Sequence, residues 1–241
     1  MKKIIKGLRR SDCGKQNKGK GMTGMYDKLS PLVGAHVMRK AKKMNIPLPD
    51  DWKKILFREL DCFKENKIRI AYSWLWDSGG RVPNASSTIP RLILVNAEWA
   101  AMIVLLQNDE KMHDAFRLTI GHEMTHQNDH FFLARPFSKN ARFTYWVNEV
   151  HADFGGAVMA FEGDVARCAE AMQFKKKCKG ERDRDGYSHP SWRRRIEYIR
   201  DNDFNRELIY KIANITGCKN ESLIEHVCDQ YKDIKLKRLG E

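Results

Sequence analysis

The stretch Gly121-His122-Glu123-Met124-Thr125-His126 decides both the fold and the chemistry that we predict for this 241-residue chain. Two histidines four positions apart lie on one face of a helix, so both imidazoles can reach a single metal ion. Zinc is commonly bound by such imidazoles, and a catalytic zinc keeps one coordination position open for water. Glu123, between the two histidines, can then remove a proton from that water. We therefore expect a zinc site on a helix that runs from Asp109 to about His130.

A third protein ligand is needed, and the candidate follows 23 residues after His126, in the segment Trp146 to Gly156. If this segment is helical, Glu149 and Asp153 share one face and lie one turn apart. Glu149 can then bind zinc while Asp153 accepts the outer N–H of a ligating histidine, which fixes the tautomer of that ring. The alternative for the first motif is two exposed histidines on an ordinary helix. The alternative for the second segment is a surface Glu–Asp pair beside a flexible Gly-Gly.

The neighbouring residues sharpen this expectation. Gly155 and Gly156 lower helix stability, a cost that is tolerated where two helices approach closely, here the helix of His122 and His126. His151 lies only two positions from Glu149 and is expected to pack or to face solvent. His130 continues the four-residue spacing, but one straight helix cannot wrap three successive turns around one ion, so we do not expect it to bind the metal.

Hydrophobic periodicity predicts a mostly helical α+β chain with one small sheet. Strands are expected at 67–76 and 91–96, a loop at 83–90, an extended segment or a turn at 143–147, and a charged loop at 175–186. Helices are expected at 26–45, 52–65, 97–106, 109–130, 148–172, 191–201, 205–215 and 222–236.

The positive charge is concentrated near the start of the chain. Residues 1–43 hold 13 basic and two acidic residues, so they carry +11 of the formal net charge of +13. We expect residues 1–25 to form a flexible basic arm, residues 26–203 the main domain, and residues 204–241 a helical extension packed on that domain. Such an arm could bind nucleic acid or an anionic membrane surface, or it could be a solvated tail that aids solubility.

Composition favours a globular protein, with 42% hydrophobic and 31% charged residues. The longest apolar run, Trp99 to Leu106, is far shorter than a bilayer span requires. The basic start lacks the apolar stretch of a signal peptide, and none of the six cysteines forms a CxxC pair. We therefore expect a cytoplasmic chain with reduced thiols.

Four motifs in order resemble a known family. HExxH at 122–126, followed by Glu149-Val150-His151-Ala152-Asp153, resembles the gluzincin metallopeptidases, and in particular the CaaX prenyl proteases and HtpX-like proteases. Pro83-Asn84-Ala85, followed by the strand at 91–96, is similar to the loop and edge strand of that family. Ser188-His189-Pro190, followed by Arg195-Ile196, is similar to its C-terminal segment. Together these motifs cover about Lys67 to Arg200.

This resemblance implies a compact zincin-like fold, a minimal gluzincin, that binds one catalytic zinc ion. The zinc ligands would be His122, His126 and Glu149, and Glu123 would be the general base.

It also implies roles for the residues around the metal. His189 and Arg195 would line the site and stabilise the developing oxyanion. Tyr145 and Tyr187 are weaker candidates for the same task. The strand at 91–96 would pair with an extended peptide or protein substrate.

Three functions remain open at this stage. The leading one is a zinc endopeptidase in which Glu123 activates a zinc-bound water. The second is a SprT-like protease that acts on DNA-bound proteins and binds DNA through the basic arm; the carboxylate pair argues against it, because that group uses a third histidine. The third is a non-catalytic zincin-fold binding module, which has no need for Glu123. Cys13 as a zinc cap that keeps the enzyme latent is a further alternative.

Overall fold

The computed structural model describes residues 30–61, 68–74, 82–89, 91–128, 140–179 and 183–238. The predicted basic arm at 1–25, His130 and Cys13 therefore lie outside the described residues. The helices and strands, in chain order, are α1 (Pro31–Met44), α2 (Trp52–Asp61), β1 (Arg69–Ser73), β2 (Ala85–Ile89), β3 (Leu92–Asn96), α3 (Ala97–Leu105), α4 (Glu110–Asn128), α5 (Ala141–Phe161), α6 (Val165–Lys179), α7 (Trp192–Asp201), α8 (Arg206–Thr216) and α9 (Glu221–Gln230). The mostly helical α+β prediction is confirmed.

The chain divides into two compact units, one up to Ile120 and one from Gly121. In the first unit, α1 and α2 pack against α3, which directly follows β3. Asn96 organises this junction, because its side-chain oxygen accepts hydrogen bonds from the backbone N–H groups of Trp99 and Asn84. Its amide group donates to the carbonyl of Val82, at 2.9 Å.

The sheet corrects two predictions. Residues 83–90 were expected to be a loop, but Ala85–Ile89 is the strand β2. The strand at 91–96 was expected to be an edge strand open to a substrate, yet β3 is the central strand. It pairs with β1 in parallel and with β2 in antiparallel orientation. Both of its edges are therefore occupied, and β3 cannot take up a peptide by strand addition.

In the second unit, α5 packs against α6, α7 and α8, and α9 packs against α8. After α9 the chain returns along the unit in an extended form. Phe204 and Ile234 exchange two backbone hydrogen bonds, and Lys237 bonds to the backbone of Gly163 and Val165. This last segment thus ties the α5–α6 turn to the α7–α8 turn.

The helix predictions for the second unit were partly wrong. The segment 143–147 is helical, because α5 begins at Ala141, and Phe143, Trp146 and Val147 are buried in it. The predicted single helix at 148–172 is two helices, interrupted at Glu162 and Gly163, which both have positive φ. The predicted loop at 175–186 begins later than expected, because α6 continues to Lys179.

Two further observations concern the predicted reduced thiols and the expected lack of a membrane span. Cys168, Cys178, Cys218 and Cys228 are all free thiols. Within the described ranges, the helices lack the combination of length and apolar character that a membrane crossing requires.

Candidate metal centre

The final turns of α4 place the two histidines of the HExxH motif side by side. His122 is buried and His126 is partly exposed. Their Nε2 atoms lie 3.1 Å apart, and the two rings are nearly perpendicular, at 88°. Both ring nitrogens therefore face the same point in space.

Glu149, on α5, completes this group. Its Oε2 lies 3.5 Å from Nε2 of His122, and its Oε1 lies 3.4 Å from Nε2 of His126. The three residues form a cluster that could hold a metal ion. The structure thus brings together the three residues that the sequence predicted as metal ligands.

The donor atoms lie close enough together for one metal ion. Ligands at about 2.0–2.1 Å from a tetrahedral zinc ion are separated from one another by about 3.3 Å. The Nε2 atoms of the two histidines are 3.1 Å apart, and one ligand atom from each of the three residues lies within 4.8 Å of the other two. Two imidazoles and one carboxylate are also a donor set that zinc accepts, with the fourth position left open.

Glycines explain how α4 and α5 come close enough to share this cluster. A Cβ atom on Gly156 would lie 2.9 Å from the backbone nitrogen of His122. A Cβ on Gly155 would lie 2.6 Å from Cγ2 of Thr125 and closer still to its Oγ1. On the facing helix, a Cβ on Gly121 would lie 3.1 Å from Cα of Gly156. The close approach predicted from Gly155 and Gly156 is therefore confirmed.

Asp153 binds the nitrogen of His122 that faces away from the cluster. Its Oδ1 lies 3.0 Å from Nδ1 of His122, and the carboxylate accepts hydrogen bonds from Nε and Nη2 of Arg195 at 2.6 and 2.5 Å. Burial opposes ionisation of Asp153, but the Arg195 charge and these hydrogen bonds outweigh it and lower the pKa of the carboxyl. An ionised carboxylate only accepts, so Nδ1 of His122 carries a proton. When Nε2 of His122 is deprotonated, its lone pair therefore faces the cluster.

The ionisable groups of the cluster change one another's pKa values. Burial disfavours the imidazolium of His122, yet hydrogen bonds to Asp153 and Glu149 raise the pKa of this residue to about 9. Burial likewise disfavours the carboxylate of Glu149. Hydrogen bonds with His122 and His126 overcome that effect and hold the pKa of Glu149 well below its usual range.

The segment before α7 brings His189 to the rim of the cluster. The Nε2 of His189 lies 3.4 Å from Oε1 of Glu149, and its side chain is 57% exposed. Its Nδ1 is 2.7 Å from Oγ of Ser188. His189 is therefore adjacent to the cluster and accessible to solvent.

Arg195 occupies a different position from His189. Its guanidinium donates two hydrogen bonds to Asp153, and its Nη1 lies 3.8 Å from Oε2 of Glu149. Its side chain is buried and rests on the ring of Trp192, with Cζ 4.1 Å from the ring centroid. In this arrangement Arg195 orients the carboxylates behind the cluster.

Glu123 is partly exposed on α4, one position after His122. Its negative charge is close enough to contribute to the raised pKa of Arg195. Tyr145 lies one helical turn before Glu149, and its ring contacts that of Tyr187 at 6.0 Å. Tyr187 is 56% exposed and stands two residues before His189.

His151 is not a ligand. It is buried, and its ring packs against Phe204 at 4.8 Å and Tyr231 at 4.6 Å. The predicted packing role is confirmed.

The residues that hold the His189 segment in place were not predicted from the sequence. Asp183 accepts the backbone N–H groups of Trp192 and Arg193, and Asp185 accepts that of Ser191 and pairs with Arg194. Acidic residues shortly before a helix start are a signal for such caps, and this signal was available in the sequence. The indole N–H of Trp146 donates to the carbonyl of Gly186 at 3.1 Å, a contact that the sequence did not indicate.

No family model, curated protein or solved structure matches this chain.

Proposed function

We propose that this protein is a zinc-dependent endopeptidase. The observation that supports the proposal is the cluster of His122, His126 and Glu149. One ligand atom from each residue lies within 4.8 Å of the other two, on two helices that glycines allow to approach closely. The order of the motifs, which resembles that of gluzincins, supports the same conclusion. The substrate would be a peptide or protein, and the four free thiols are compatible with a cytoplasmic setting.

Two imidazoles and one carboxylate are a donor set that fits zinc. A zinc ion held there would lower the pKa of a water ligand and would polarise a peptide carbonyl. Asp153 keeps His122 in the tautomer that binds a metal through Nε2, and Arg195 keeps Asp153 ionised. These two residues thus act through His122 and do not need to touch the substrate.

Glu123 is the proposed general base. It is the acidic residue between the two histidines, it is partly exposed, and no hydrogen bond or ion pair occupies its carboxylate in the described part of the chain. It would accept a proton from the attacking water and return it to the leaving amine. His189, exposed and 3.4 Å from Glu149, is the better placed donor for the developing oxyanion, because Arg195 is buried on Asp153.

Glu123→Gln tests this proposal, with Glu207→Gln on an exposed turn of α8 as the control. Both variants should retain about one zinc per chain. Removing a general base typically lowers the rate about 10²–10⁴-fold, so Glu123→Gln should lose peptide cleavage to that extent, whereas Glu207→Gln should not. Full activity of zinc-loaded Glu123→Gln would overturn the proposal. Zinc binding without cleavage of any peptide by the wild type would favour the non-catalytic module.

A further inference from the structure

The outer face of α1 combines exposed apolar and basic side chains. Its inner face, Val33, Gly34, Val37 and Ala41, is buried. On the outside, Leu32 is 54% exposed and Met38 is 52% exposed. These two residues stand six positions apart, with the partly exposed Ala35 midway between them.

Three basic residues share this outer side. Arg39, Lys42 and Lys43 are exposed, and none of them forms an ion pair within the described ranges. Lys40 differs, because it is directed to the buried carboxylate of Glu98, as is His36. We call the set of Leu32, Met38, Arg39, Lys42 and Lys43 the outer face of α1.

The sequence before α1 adds charge of the same sign. Residues 1–29 contain nine basic and two acidic residues, and the apolar residues Ile4, Ile5 and Leu8 stand among the basic ones. The 198 residues after position 43 carry a net charge of only +2. The excess positive charge of the sequence therefore lies in residues 1–43, which include most of α1.

We propose that the outer face of α1 docks on an anionic lipid bilayer as a peripheral contact. Anionic headgroups attract Lys and Arg, and exposed Leu and Met side chains gain by entering the boundary between headgroups and acyl chains. A nucleic acid would attract the same charges through its phosphates. It offers the two apolar side chains no comparable environment, so the observations favour the bilayer.

Vesicle sedimentation of the full chain tests the charge requirement. Vesicles of phosphatidylglycerol mixed with phosphatidylcholine should bind the wild type, and vesicles of phosphatidylcholine alone should not. Each basic residue near such a surface contributes about five-fold in affinity at low salt, so Lys42→Gln/Lys43→Gln should weaken binding about 30-fold. The control Lys219→Gln/Lys232→Gln removes two exposed lysines from the second unit and should bind like the wild type. Equal losses in both variants would overturn the proposal, because binding would then depend only on net charge.

A second pair of variants tests the apolar contribution. Leu32→Ser/Met38→Ser should weaken vesicle binding about ten-fold or more. Ile215→Ser, which alters a 37% exposed residue on α8, should have no effect. Vesicle binding by Leu32→Ser/Met38→Ser equal to that of the wild type would overturn the proposal. Binding to a DNA duplex but not to anionic vesicles would also overturn it and assign the surface to nucleic acid.

Discussion

The close contact between α4 and α5 makes a prediction about metal affinity that follows from single atoms. In Gly156→Ala the new Cβ would lie 2.9 Å from the backbone nitrogen of His122, whereas ordinary contacts begin at about 3.4 Å. Because the opposing atom belongs to the backbone, the helices must separate by about 0.5 Å. Metal–ligand distances tolerate only about 0.2 Å, so Glu149 would no longer reach the ion that the two histidines hold. We expect a loss in zinc affinity of about ten-fold or more.

Gly155→Ala provides the matched comparison. Its Cβ would collide with the side chain of Thr125, at 2.6 Å from Cγ2, and not with backbone. Thr125→Ala removes both colliding atoms and leaves a tight contact of 3.1 Å with Cβ. Combined with Gly155→Ala, the substitution Thr125→Ala should therefore restore most of the lost zinc affinity. Combined with Gly156→Ala, it should restore none of the lost zinc affinity.

The assay is competition for zinc with a chromophoric chelator, together with urea unfolding of the metal-free proteins. Overpacking costs about 1–3 kcal/mol, and replacing glycine by alanine in a helix returns about 1 kcal/mol, so the stability of the metal-free variants should fall by at most about 2 kcal/mol. Unchanged zinc affinity in Gly156→Ala, or equal rescue of both glycine variants by Thr125→Ala, would contradict this prediction.

Three further predictions concern the supports of the site. Asp153→Asn should lower zinc affinity about 10–100-fold, measured by chelator competition, because His122 loses the ionised acceptor that fixes its tautomer; unchanged affinity would contradict this. Asp185→Asn should lower the free energy of unfolding by about 1 kcal/mol at pH 7 in urea titrations. The Asp185 pKa is lowered to about 2, because its hydrogen bonds with Arg194 and Ser191 outweigh burial. Its contribution is therefore present above about pH 4 and is lost as the pH falls towards 2, so the two proteins should converge in acid; a constant difference would contradict the assignment. Tyr231→Phe should lower the free energy of unfolding by about 1 kcal/mol, because Tyr231 donates a hydrogen bond to Asn148, and an unchanged urea midpoint would show that this contact contributes nothing.

The site was more predictable from the sequence than the strands. The candidate site follows from helical geometry, because residues four apart share a face. His122 and His126 therefore point together on α4, and Glu149 and Asp153 point together on α5. Gly155-Gly156 identified the helix face that approaches the partner. None of this depends on long-range information beyond the pairing of the two helices.

The secondary-structure predictions that were wrong failed because tertiary contacts override the local sequence pattern. Ala85–Ile89 contains two serines and a threonine near two prolines, so its local pattern favours a loop, and only pairing with β3 makes it a strand. Phe143 to Val147 is rich in aromatic and β-branched residues, which have weak helix propensity, but burial on the neighbouring helices overrides it. The continuation of α6 to Lys179 has a similar origin, since Lys175 is buried with its ammonium group over the ring of Trp192.

Other features depend on partners that a sequence pattern does not reveal. Arg195 was identified as a residue of the site, but its two hydrogen bonds to Asp153 could not be read from residues 42 positions apart. The helix break at Glu162 and Gly163 could have been predicted, because a glycine after a helix commonly takes a positive φ.

The most direct test of the central claim is the zinc content of the purified chain, measured by elemental mass spectrometry. The wild type should contain about one zinc per chain, and both Glu149→Ala and His126→Ala should contain far less. His226→Ala, which alters an exposed histidine on α9, should match the wild type. Equal zinc in the wild type and Glu149→Ala would remove Glu149 from the site, and no zinc in the wild type would contradict the metal centre itself.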